Sequence, residues 1–163
     1  MTDDPVRLSL VNVDERLAAL GIELPPPPTA LAAYVPVVVA GGLAFVAGQV
    51  PLDAGTVTTT GKLGAEVDVD QGAAAARRCA LQALSALRAE LGSLDRIRRV
   101  ARVAVYVASS PGFTDQPKVA NGASELLVDV FGDAGRHARA AVGVAELPLG
   151  AAVEVELTVE LAP

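Results

Sequence analysis

Near the C-terminus, residues 153–161 alternate without a break. Val153, Val155, Leu157, Val159 and Leu161 take one side of an extended chain, and Glu154, Glu156, Thr158 and Glu160 take the other. Such a segment is a strand with one dry face and one ionised face. It requires a sheet that meets its core on one side only. Every other element has to be compatible with that sheet.

Two more β-rich runs, residues 35–40 and 43–48, flank Gly41-Gly42. A Gly-Gly pair suits a two-residue hairpin, which needs positive φ. Residues 53–67 read as a loop with a short strand at 57–59. Asp68 or Asp70 can cap a long helix that ends near Gly92, and its Ala, Leu and Cys positions are apolar nearly all round. That pattern predicts burial under a sheet or against a second subunit. Residues 97–108 alternate as a strand. Thr114 can cap a second helix closing at Phe131-Gly132, with Val119, Ala123, Leu126 or Leu127, and Val130 as its buried stripe. Residues 139–145 and 153–161 are expected to close the chain as a hairpin. The order ββ–α–β–α–ββ predicts an α+β fold with two main helices on one face of the sheet.

Upstream, Asn12 and Glu15 make a capping-box-like start to a helix that Gly21 can stop. Pro25 to Pro28 then form an extended spacer, because four prolines fix φ and donate no amide bonds. The expected division is residues 1–28 as an N-terminal helix and spacer, and 29–163 as the main domain.

Composition excludes several functions. Apolar residues make up 52% of the chain but aromatic ones only 3%, so the core is built from Ala, Val and Leu. A subunit of this kind can bury further apolar surface against its own copies. The net charge of −6 argues against nucleic acid as a partner, and the run Arg96, Arg98, Arg99 and Arg102 reads as surface. Cys79 is the only cysteine, which leaves no internal disulfide. No signal peptide and no membrane-length apolar run are visible, which predicts a cytoplasmic setting. No His/Cys cluster offers a metal site, and no cofactor is expected. Gly55 to Leu63 imitates a phosphate loop, but five residues separate its glycines and Leu63 follows Lys62 where Ser or Thr is needed. Lys62 has no reading. His137, the only histidine, lies two residues from Arg139 and would share its face of a strand.

Residues 136–156 carry the chemistry. Arg136-His137-Ala138-Arg139-Ala140-Ala141 opens a strand, Leu147-Pro148 makes a turn, and Glu154 and Glu156 follow on the next strand. This arrangement resembles the signature of the Rid (YjgF-like) family. In that signature Pro-Ala-Arg-Ser precedes a strand, a Leu-Pro turn, and a strand with alternating Glu. Phe45 to Pro51 resembles the family's Ser-Gly-Gln-Ile-Pro segment, Tyr34 stands where the family has a Tyr, and Asn121 about where it has an Asn on its second helix. The resemblance spans roughly residues 34–161. The sequence departs from the family at His137, which replaces Pro, and at Ala140 and Ala141, which replace Ser-Cys.

The resemblance implies a chorismate-mutase-like fold, a homotrimer, and ligand clefts between subunits. It implies hydrolysis of reactive 2-imino or 2-enamino acids to 2-oxo acids and ammonia. By position, Arg139 would hold the substrate carboxylate and Glu154 would serve the water. Tyr34 and the backbone at Gly48 would form the cleft wall, the Ala141 carbonyl would help place the water, and Asn121 would contribute to binding. The chemistry suits the residues: a guanidinium grips a carboxylate through two parallel bonds, and an iminium carbon is already electrophilic. Two other readings remain: a non-catalytic binder of small carboxylate metabolites, and an endoribonuclease, which the charge disfavours.

Overall fold

The computed structural model describes residues 12–29 and 32–163. Strands β1 (Val37–Ala40) and β2 (Leu43–Gln49) pair through a tight turn in which Gly41 and Gly42 both have positive φ, 59° and 76°. A β-carbon at either position would strain that turn. A two-residue ribbon follows, β3 (Leu52–Asp53) with β4 (Thr56–Val57). Helix α2 spans Val69–Leu91. Asp68 caps it with a complete capping box to Gln71, and left-handed Gly92 stops it. Strand β5 (Ile97–Ala108), helix α3 (Gln116–Phe131), strand β6 (Ala138–Val144) and strand β7 (Val153–Leu161) complete the domain. The N-cap of α3 is Asp115 rather than Thr114, and it makes no side-chain capping bond. Pro117 occupies the first turn, where a missing amide costs little.

The five long strands form one mixed sheet in the order β1-β2-β7-β5-β6. The expected C-terminal hairpin is not formed. β6 runs parallel to β5, and β7 inserts between β5 and β2, antiparallel to both. The cause is the crossover through α3, which returns the chain parallel to β5 on its outer side. The link from β6 to β7 must then span two strand spacings, about 10 Å. The turn at Pro148–Gly150 does this, with Leu149 held at φ 59°.

Both main helices cover the same side of the sheet. Val153, Val155, Leu157, Val159 and Leu161 are buried there, with Val100, Val103, Val105 and Val107 of β5. Leu84 and Leu87 of α2 and Leu126 and Leu127 of α3 meet them. Each buried Leu or Val contributes roughly 1.5–3 kcal/mol. α2 is apolar nearly all round because the sheet, α3 and the N-terminal segment each take one side. Ser85, buried in α2, donates to the Pro25 carbonyl at 2.5 Å.

Helix α1 (Val13–Ala19) packs onto this same core. Val13 and Leu17 are buried in it, the Val13 amide donates to Asp95, and Arg16 donates to the Asp129 carbonyl. Asn12 caps the helix through the amides of Asp14 and Glu15, and Gly21 is left-handed just beyond it. Among the described residues, no helix covers the opposite face of the sheet. Val38, Phe45, Thr158, Glu156, Glu154, Tyr106 and Val142 lie on it by register.

Candidate functional site

Arg139 lies on β6, at the outer edge of the sheet. It registers with Val103, so it starts on the helix-covered face. An edge position lets its long side chain leave that face without burying charge. α3 runs beside it and presents Asn121 and Ser124, one turn apart. Arg139 Nη1 donates to Asn121 Oδ1 at 2.9 Å and to Ser124 Oγ at 3.1 Å. Both acceptors are neutral. Among the described residues no carboxylate lies within ion-pair distance of Arg139. The guanidinium is therefore oriented but not neutralised, and the rest of its fork remains for an anion.

Glu154 lies elsewhere. It registers with Tyr106 on the uncovered face, and β5 separates β7 from β6. Within one chain, Arg139 and Glu154 do not come together. A β-bulge between Val46 and Gln49 sets Gly48 against Glu154 instead. A β-carbon built on Gly48 would stand 1.8 Å from Glu154 Oε1, so the carboxylate lies directly over the glycine backbone. Tyr106 Oη donates to Glu156 Oε1 at 3.1 Å. Tyr34 is exposed in the bend before β1, and Ala141 is half-buried on β6.

Burial pushes the Glu154 carboxyl above the usual 4.5, and the charge of Glu156 adds to this. A raised carboxylate pKa means the folded state penalises the ionised form. The penalty is full above the folded-state pKa and disappears below the unfolded value. Glu154→Gln is thus expected to be more stable than the natural protein at pH 7 and equal to it near pH 4. Urea unfolding at the two pH values reads this directly. A loss of stability at pH 7 would overturn the assignment.

Sequence reasoning passed over Ser124, because a serine amid an apolar helix has no distinctive pattern. Only the fold shows it meeting both Arg139 and His137: Ser124 Oγ lies 3.0 Å from His137 Nε2. The shared face expected of His137 and Arg139 becomes this shared contact. Lys62 pairs with Glu146 at 2.7 Å and ties the loop to the turn before β7. An exposed pair of this kind contributes about 0–1 kcal/mol. The phosphate-loop imitation ends in a bridge at Leu63 and a turn, and the next helix does not start until Val69. Arg98 pairs with Glu160 on the surface. Among the described residues, no group of three or more His, Cys, Asp or Glu converges as metal ligands, and no helix is long and apolar enough to cross a membrane.

A mixed five-stranded sheet with two long helices on one side defines an α+β protein of the chorismate-mutase-like class. The family model described as "YjgF/chorismate_mutase-like, putative endoribonuclease" matches residues 14–161. Protein TCP17 of Trypanosoma cruzi is 52% identical over 151 residues, which cover 92% of this chain and 94% of that protein. The crystal structure of an Agrobacterium tumefaciens protein of unknown function superposes with a TM-score of 0.86 at 43% identity, covering 94% of this chain and 96% of that one. A Shewanella oneidensis protein carrying the same endoribonuclease label gives a TM-score of 0.88 at 35% identity, covering 92% and 99%. The chain belongs to the YjgF/chorismate-mutase-like (Rid) family.

Proposed function

We propose that the protein hydrolyses reactive 2-imino or 2-enamino acids to 2-oxo acids and ammonia, without a cofactor, in clefts between the subunits of a homotrimer. The observation that carries this reading is the Arg139 guanidinium, held by Asn121 and Ser124 and left without a carboxylate partner among the described residues. A small carboxylate is the anion that best fits a two-pronged donor on a chain of net charge −6.

Association of chains would complete the site. Arg139 and the Gly48–Glu154 pair are half-sites on different faces of one sheet, and a neighbouring copy can set one against the other. The uncovered face supports such an assembly. Val38, Phe45 and Val142 are each about half exposed there, beside Tyr106 and the glutamates. Tyr34, exposed near β1, would wall the cleft from the same side. The edge strand β6 would offer the Ala141 carbonyl to the water.

In this reading Arg139 fixes the carboxylate, and Glu154 accepts a proton as water attacks the iminium carbon. A C–O bond forms and the carbon becomes tetrahedral. Glu154 returns the proton to nitrogen, the C–N bond breaks, and ammonia leaves as the carbonyl forms, the hydroxyl proton passing to the Glu154 carboxylate and from it to the departing ammonia. A carboxyl with a raised pKa suits a group that both takes and gives a proton. Positioning supplies the remainder of the rate.

The test is release of ammonia and 2-oxo acid from freshly generated 2-imino acids of varied side chain. Acceleration over the buffer rate is the expected result. No acceleration across the panel, with saturable 2-oxo acid binding, would replace catalysis by binding alone. Gly48→Ala gives a sharper check. Its β-carbon displaces only the flexible end of Glu154, so stability should change by less than about 1 kcal/mol. Shifting the carboxylate by about 1 Å should lower turnover roughly a hundredfold. Unchanged turnover in Gly48→Ala would remove Glu154 from the mechanism.

A further inference from the structure

His137 ends a chain of hydrogen bonds that begins at Arg139. The protons in that chain are fixed by chemistry. His137 Nδ1 lies 2.6 Å from the Gly135 carbonyl, which can only accept, so Nδ1 carries the hydrogen. A neutral imidazole then has Nε2 as its acceptor, and the partner of Nε2 is Ser124 Oγ at 3.0 Å. Arg139 can only donate, so Ser124 Oγ accepts from Nη1 at 3.1 Å and directs its own hydrogen to His137. Every hydrogen has one acceptor, and the chain has a single sense: guanidinium to hydroxyl to imidazole to carbonyl. Burial lowers the His137 pKa from its usual 6.5, and the nearby Arg139 charge works the same way, against the Gly135 bond. The ring is thereby kept neutral and able to accept.

Resting on the carboxylate-binding reading of Arg139, we infer that His137 and Ser124 are positioning residues that hold this guanidinium in its anion-gripping orientation. Without the imidazole, a helical serine turns its hydroxyl hydrogen to the carbonyl one turn back. With His137 present, that hydrogen is drawn outward and an oxygen lone pair faces Arg139. Asn121 holds the same Nη1 from the adjacent turn. The guanidinium plane is then set by two acceptors on one rigid helix, and one of those acceptors is itself oriented by the start of β6. Pre-orientation of this kind acts on ligand affinity, because a flexible arginine must be ordered at the moment of binding.

The experiment pairs kinetics with ligand titration, using 2-oxobutyrate as the carboxylate probe and 2-iminobutyrate as the substrate. Ser124→Ala and His137→Phe should each raise Kd and KM about tenfold and leave kcat within about twofold, as expected when uniform binding is lost. The double variant should be no worse than either single one, because both break the same chain. Ser124→Thr, which keeps the hydroxyl, should restore wild-type Kd. If Arg139→Ala abolishes binding while both variants bind normally, the positioning role is wrong and the site reading stands. If Arg139→Ala changes neither binding nor turnover, the site reading itself falls. Imidazole 15N shifts of the ligand-free protein decide the chain independently: a neutral ring with hydrogen on Nδ1 is expected, and hydrogen on Nε2 overturns it.

Discussion

Arg139→Ala should lower kcat/KM for 2-imino acids by a factor of roughly 30 to 4000 and leave the fold intact. The side chain is exposed on an edge strand and donates to Asn121 and Ser124. Its removal empties no core, so the unfolding free energy should change by less than about 0.5 kcal/mol. The loss of function is larger because a charge-assisted grip on a carboxylate has no substitute nearby. Truncating one partner of such a pair costs about 2–5 kcal/mol, which is roughly 30- to 4000-fold in rate. Arg139→Lys separates charge from geometry. An ammonium keeps the charge but loses the planar fork, so only part of the activity should return. Wild-type turnover in Arg139→Ala, measured on the same preparation of imine, would end the proposed mechanism.

Gly122→Ala is expected to destabilise the domain by about 2 kcal/mol, although alanine is the better helix former. Gly122 sits in α3 where that helix crosses α2. A β-carbon there would lie 1.9 Å from the Ala73 carbonyl oxygen and 2.6 Å from its carbon. Those are backbone atoms of a buried helix and cannot swing aside. Overpacking typically costs about 1–3 kcal/mol, and the upper end of that range applies where the clash is with backbone, while the gain in helix propensity is only about 1 kcal/mol. The net effect corresponds to a fall in Tm of roughly 4–8 °C for a domain of this size. Asn121 adjoins Gly122 and Ser124 follows two residues later, so the support of Arg139 should shift with the helix. Affinity for 2-oxo acids should therefore drop along with Tm. An unchanged Tm would mean that the helices do not approach this closely.

Local elements were well specified by local chemistry. β7 matches its expected bounds because an alternating strand has a period of two and cannot slip by one residue without reversing its faces; β5 also matches, although its register to β7 shifts between Ile97 and Arg99 and between Val100 and Arg102. The Gly41-Gly42 turn, the Asp68 start and the Gly92 stop of α2 each follow from a residue whose backbone preference is strong. Thr114 was not the cap of α3: Asp115 fills the place without a capping bond, so no side-chain hydrogen bond enforced one residue over its neighbour. Arg139, Glu154 and Asn121 were nameable from the resemblance, and Ser124 was not. A hydroxyl at that position gains meaning only when β6 is laid beside α3.

What the sequence alone determined is the inventory: strands with one dry face, two long helices to cover it, an acidic chain, and one arginine in a family-like setting. What only the tertiary structure decided is neighbourhood. Adjacency along the chain suggested that β6 and β7 pair, and the parallel return through α3 put β5 between them. That choice carries Arg139 to one face and edge and Glu154 to the other face. The reason is physical. Side-chain period and capping act over three or four residues, whereas strand order is set by which crossover buries the apolar faces of both helices against a single sheet, and that is a property of the whole packed chain.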